Sequence, residues 1–126
     1  MASRRKSSPD WPPVPDPAVF DRAHLVRYTM ESLELEREII ELFLAQLPAT
    51  LKMIRQADCD ANWKLATHTL KGSAAAVGAR QINEIAIELE LIKFNVDVKI
   101  RNDFTAQLER AVNDFRAMAS RIYSTL

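Results

Sequence analysis

The chain has 126 residues, with 17 Lys+Arg against 17 Asp+Glu, two His, one Cys, six Pro and two Gly, the length of one compact domain. A formal charge of zero removes the bulk attraction that drives phosphate-backbone binding, so nucleic acid is not an expected partner. A single Cys forms no intramolecular disulfide, and no stretch is long and apolar enough for a signal peptide or a membrane span, so the expected compartment is cytoplasmic.

In chain order, residues 1–17 hold five of the six prolines and a small basic cluster at Arg4, Arg5 and Lys6. They read as a disordered Pro-rich tail unless Trp11 docks. Residues 18–126 form the expected domain. A short first helix is predicted from about Val19 or Asp21 to Tyr28, and a long second one from Leu33 to Gln56. In the second, Ile40, Phe43, Leu44, Leu47, Leu51 and Ile54 recur every three or four residues, the mark of one buried stripe. Pro48 predicts a kink within it.

Asp60 is the expected cap of a third helix, which buries Trp63, Ala66, Leu70, Ala74 and Val77 and stops at Gly78. A fourth carries Ile82, Ile85, Ala86, Leu89 and Ile92. A fifth, from about Val98, carries Phe104, Leu108, Ala111, Val112, Phe115, Met118 and Ile122. Between them Phe94, Val96, Val98 and Ile100 alternate with polar residues at period two, a strand pattern with no second strand to pair with, so a helix end and a linker around residues 95–97 are expected instead. The fold class expected is all-α: an antiparallel up-and-down four-helix bundle with a short additional N-terminal helix. Because bundles host many activities, function must be argued from a site.

The sequence holds no zinc-type His-Glu-x-x-His and no Gly-rich phosphate loop, and it lacks the inward carboxylates and histidines of a metal-binding bundle. The third helix is different. It reads Ala66-Thr67-His68-Thr69-Leu70-Lys71-Gly72-Ser73-Ala74-Ala75-Ala76-Val77-Gly78 and contains both glycines of the chain. Its buried stripe leaves His68, Lys71, Gly72 and Ala75 together on the opposite face. Lys71 is then in reach of a dianionic group on the His68 ring. A mid-helix Gly costs about 1 kcal/mol relative to Ala, and with Ala75 and Ala76 beside it Gly72 makes a shallow surface that another protein can approach closely. An enzyme pocket would not need that flatness.

These residues, His68-Thr69-Leu70-Lys71-Gly72-Ser73 with the small-residue run to Gly78, resemble the His-x-x-Lys-Gly-Ser signature of the histidine-containing phosphotransfer (HPt) domains of two-component phosphorelays. Residues 38–48, with their Phe-Leu and Leu-Pro, look like the family's second helix, and Leu89-Glu90 looks like its Leu-Glu after the signature. The resemblance covers about residues 18 to 125. It implies a phosphocarrier without kinase activity of its own, in which His68 takes a phosphoryl group from a histidine kinase or a receiver aspartate and passes it to another receiver aspartate. Imidazoles in general titrate near pH 6.5 and are substantially neutral nucleophiles at pH 7.

By the same resemblance Lys71 stabilises phosphoryl charge, and Glu90 either orients the imidazole or is an ordinary surface carboxylate. Gly72, Ala75 and Leu65, with Leu25 and Tyr28 of the first helix, are the expected partner-binding residues, although that helix serves equally as a cap on the core. His24 lacks the Lys-Gly context and reads as surface or interface. No cofactor is expected on the chain, and magnesium belongs to the partner receiver's acidic pocket. The partners implied are receiver domains and a histidine kinase, and a monomer suffices for the bundle. The alternative is a helical adaptor that binds those partners without carrying phosphate.

Overall fold

The four apolar stripes and the short first helix become five helices: α1 (Arg22–Tyr28), α2 (Leu33–Gln56), α3 (Asp60–Val77), α4 (Arg80–Leu91) and α5 (Val98–Tyr123). The structure, a computed structural model, describes residues 15–92 and 94–123; Arg4, Arg5, Lys6 and Trp11 of the expected tail lie outside the described residues. Among the described residues all regular structure is helical. The period-two run at Phe94 is a turn that passes into α5 at Val98.

Local chemistry sets the boundaries. Asp16, which composition placed in the tail, anchors a turn: its carboxylate accepts from the Ala18 N–H (2.9 Å) and its carbonyl from the N–H groups of Val19 and Phe20. Phe20 is thereby delivered into the core. The Asp21 side chain then caps α1, accepting from the His24 N–H, and the Ser32 side chain caps α2, accepting from the Leu35 N–H. Between them Met30 and Glu31 take left-handed backbone (φ 52 and 64) to reverse the chain. α2 stays one helix across Pro48, which lies on its exposed face.

Asp60, expected as the cap of α3, lies one residue inside. Cys59 occupies the cap position in extended backbone, and its carbonyl already accepts from the Trp63 N–H (3.0 Å). Asp60 therefore places its charge in the first turn, where the helix dipole favours it.

At the other end of α3, Gly78 adopts φ 81 and the Ala79 N–H returns to the Ala74 carbonyl (2.9 Å), a Schellman-type stop that leaves one residue before α4. The N-terminal segment straps across this turn. The Asp21 N–H donates to the Gly78 carbonyl (2.8 Å) and the Arg80 N–H to the Val19 carbonyl (3.0 Å). A Cβ on Gly78 would sit 2.5 Å from the Asp21 carbonyl oxygen. Gly78→Ala thus combines a left-handed penalty of about 1–2 kcal/mol with a backbone clash. Thermal unfolding should show a loss of at least that size, and an unchanged melting temperature would contradict this account of the turn.

α3 packs on both α2 and α4, α4 packs on α5, and α5 returns to α2, while α1 rests on α2 and α3. The expected stripes are the ones that close the core: Ile40, Phe43, Leu44, Leu47 and Ile54 of α2 meet Trp63, Ala66, Leu70 and Ala74 of α3, Ile82, Ala86 and Leu89 of α4, and Leu108, Val112, Phe115 and Met118 of α5. Phe115 takes edge-on contacts from Phe20 and Phe43, each with centroids 5.5 Å away. One charge sits among them. Glu36, 2% exposed, accepts from Arg22 Nε (2.9 Å) and Nη2 (3.2 Å) and from the Tyr123 hydroxyl (3.0 Å), tying α1, α2 and α5 together. Burial first, and then the facing Glu36 carboxylate, push the Tyr123 phenol well above its ordinary pKa, so it stays a hydrogen-bond donor.

Candidate functional site

The site is built where α3 lies against α4. Ala66 and Ala74 of α3 and Ala86 of α4 are wholly buried in the core. The Trp63 indole N–H donates to the Leu89 carbonyl (3.0 Å), fixing the last turn of α4 against the start of α3. The Asn83 side chain donates to the Lys71 carbonyl (2.9 Å) and fixes the register further along. One residue past the Leu89 pin, Glu90 is held opposite the exposed face of α3.

Its carboxylate spans both chemistry-bearing residues of that face. Oε2 lies 2.9 Å from His68 Nδ1, and Oε1 accepts from Lys71 Nζ at 2.6 Å. The His68 side chain is 68% exposed, whereas those of Lys71 and Glu90 are about a third and a quarter exposed. The Lys71 ammonium, and next the His68 hydrogen bond, hold the Glu90 carboxyl below its ordinary value of 4.5. Near neutral pH it is therefore an anion and offers only acceptors, so the Nδ1 that meets it carries a proton. In the neutral ring the lone pair then sits on Nε2, which has no hydrogen-bond partner among the described residues. The arrangement presents an outward nucleophilic nitrogen, with a carboxylate behind the ring to balance the positive charge it gains on forming a bond.

The sign of the pH dependence follows. A carboxyl with a lowered pKa keeps its contacts at and above its ordinary value and loses them as pH falls through the lowered one. The Glu90 side chain followed by NMR should titrate with a midpoint below 4.5, and Lys71→Met should move that midpoint upward. A wild-type midpoint at or above the ordinary value would contradict the bridge.

Around this triad the expected residues divide. Gly72 and Ala75 are exposed on α3, and a Cβ on Gly72 would meet nothing within 4 Å, so its small size makes no room for the chain itself. Ser73 bonds back to the carbonyls of Thr69 and Leu70 and serves the helix. Leu65 (59%) and Tyr28 (75%) are exposed. Leu25 requires a correction: expected at a partner-binding face, it is 0% exposed, because the Asp21 cap turns that side of α1 onto α2 and α3, and it offers a partner no surface. His24 is half-buried with its ring stacked on Tyr28 (centroids 6.4 Å apart).

Sequence reasoning missed the Lys71–Glu90 ion pair and Asn83, whose roles depend on helix register and leave no mark in spacing. Beside the triad, the start of α3 and the chain after α4 enclose an open groove of about 500 Å³ whose lining includes Asp60, Lys64, Glu90 and Phe94. Among the described residues no group of three or more His, Cys, Asp or Glu could hold a metal ion, and no helix is long and apolar enough to cross a membrane.

A family model described as Hpt domain matches residues 38–118, more than half of the chain, from within α2 to within α5 and across His68, Lys71, Gly72 and Glu90. No curated protein and no solved structure matches the chain.

Proposed function

Because the chain belongs to the Hpt domain family, the phosphotransfer modules of two-component signalling, which work as phosphocarriers with receiver domains and kinases and are not kinases themselves, we propose that His68 is its phosphorylated residue. It would carry a phosphoryl group between a histidine kinase or receiver aspartate and the aspartate of another receiver. The observation that carries this reading is the outward Nε2 of an exposed imidazole whose Nδ1 faces a carboxylate 2.9 Å away.

In the proposed step the Nε2 lone pair forms a bond to phosphorus as the P–O bond of a receiver's aspartyl phosphate breaks, and the receiver's carboxylate leaves with the electron pair. The ring becomes cationic, and Glu90 balances that charge through the Nδ1 proton, which is not transferred. Glu90 acts here as a positioning residue. Lys71 uses one N–H on Glu90 and has two more donors, enough to meet the phosphoryl oxygens without giving up its ion pair. Since phosphoryl transfer depends chiefly on positioning and charge neutralisation, the receiver can supply the rest of the machinery.

Gly72, Ala75, Leu65 and Tyr28 form the proposed docking surface. The short connections and the ring of helix contacts support an antiparallel up-and-down arrangement of α2 to α5, in which one protomer carries the whole site. Incubation with a radiolabelled phosphorylated receiver domain tests the reading. Acid-labile, alkali-stable label should move onto the chain. A receiver that binds the folded chain and leaves it unlabelled would favour the adaptor alternative instead.

A further inference from the structure

Resting on the reading that His68 carries the phosphoryl group, we propose that Lys64 is a second cationic contact for that group, acting from the turn before the imidazole.

The charge balance at the site calls for one. Lys71 is bonded to Glu90 at 2.6 Å, and that carboxylate also faces the ring, so the immediate surroundings of His68 are neutral before an anion arrives. A phosphoryl dianion brought to Nε2 gains from Lys71 and is repelled by Glu90.

Lys64 stands four residues before His68 and so on the same helix face, where side chains at that spacing are neighbours. Helical side chains lean toward the helix N-terminus, which brings the His68 ring over the turn that carries Lys64. Independently of that spacing, Lys64 and Glu90 line one groove of about 500 Å³, so the lysine borders the same open space as the carboxylate that holds the ring. Lys64 is exposed and forms no ion pair with Asp60, the other charge at the start of α3 in that groove. Asp60 lies a full turn farther from the ring. With no ion pair to its ammonium among the described residues, Lys64 can turn toward a phosphoryl group without breaking one. Lys64 and Lys71 would then flank the phosphoryl group from the two adjacent turns.

Phosphoramidate, a small donor that needs no partner protein, tests this directly. The Nε2 lone pair forms the new N–P bond while the donor's P–N bond breaks, and ammonia departs from the protonated amine with the electron pair. Initial rates would be compared at low salt for the wild type, Lys64→Gln, Lys64→Arg and His68→Gln, each with its helical signal checked. Lys64→Gln is expected to be slower by about three- to fivefold, the size of one solvent-exposed charge contact. Lys64→Arg should stay near wild type, and the difference should shrink in high salt.

A Lys64→Gln rate equal to wild type, or a Lys64→Arg rate as slow as Lys64→Gln, would overturn the role of Lys64 while leaving the carrier reading intact. Label that persists in His68→Gln would overturn the carrier reading, and the role of Lys64 with it.

Discussion

Replacing His68 with Gln is expected to abolish acid-labile labelling by a phosphorylated receiver, with no detectable residual transfer, while the protein folds as before. Glutamine is a side chain of similar reach but has no nitrogen lone pair able to form the N–P bond. The imidazole it replaces is 68% exposed and, among the described residues, its one polar contact is with Glu90, which keeps its ion pair with Lys71. A substitution at so exposed a position changes stability by about 0.5 kcal/mol or less, so loss of label would report chemistry. His24 is the internal control. It is the only other His, but its ring stacks on Tyr28 and among the described residues no carboxylate bonds that ring, so His24→Gln should label at the wild-type rate. Label in His68→Gln that disappears on removing His24 would transfer the carrier role to α1.

The largest structural loss is expected from Trp63→Ala. Trp63 is the bulkiest fully buried side chain among the described residues, at 1% exposure, and truncating a buried Trp costs about 3–5 kcal/mol in lost transfer energy and cavity formation. That is a large share of the roughly 5–15 kcal/mol by which a domain of this kind is stable. The site would feel it as well. The indole N–H holds the Leu89 carbonyl, one residue before Glu90, and its loss leaves that turn of α4 free to fray. Chemical denaturation should show the loss as a fall in midpoint. Trp63→Phe keeps most of the volume but removes the hydrogen bond, so it should cost less than the Ala variant and move the Glu90 titration midpoint toward 4.5. A Trp63→Ala variant as stable as wild type would mean that α3 and α4 are not locked through this residue.

The stripes of α2, α3, α4 and α5 were legible in the sequence because helix burial repeats every three or four residues, and positions such as Ile40, Leu70, Leu89 and Phe115 carry that period in their side chains. Gly78 was legible as a stop because a left-handed cap has few alternatives. Capping by Asp60 was misplaced by one residue, since the Cys59 backbone, and no side-chain oxygen, begins α3. Glu36 escaped notice for a different reason. A charge in the core contradicts the periodic pattern and is tolerable only because Arg22 and Tyr123, distant in sequence, converge on it.

At the site, the His68-x-x-Lys71-Gly72 spacing pointed to a dianionic ligand on one helix face. How Glu90 joins both side chains depends on how α4 is rotated against α3, which Trp63 and Asn83 set through hydrogen bonds to main-chain carbonyls. Leu25 was misjudged because a seven-residue helix is too short for its apolar period to reveal which side meets the core.

The most direct test of the account is to phosphorylate the chain with its histidines labelled with heavy nitrogen and to read the phosphorus–nitrogen coupling by NMR. The account predicts coupling to Nε2 of His68, with Nδ1 still protonated against Glu90. Coupling to Nδ1 of His68, or to either nitrogen of His24, would contradict it.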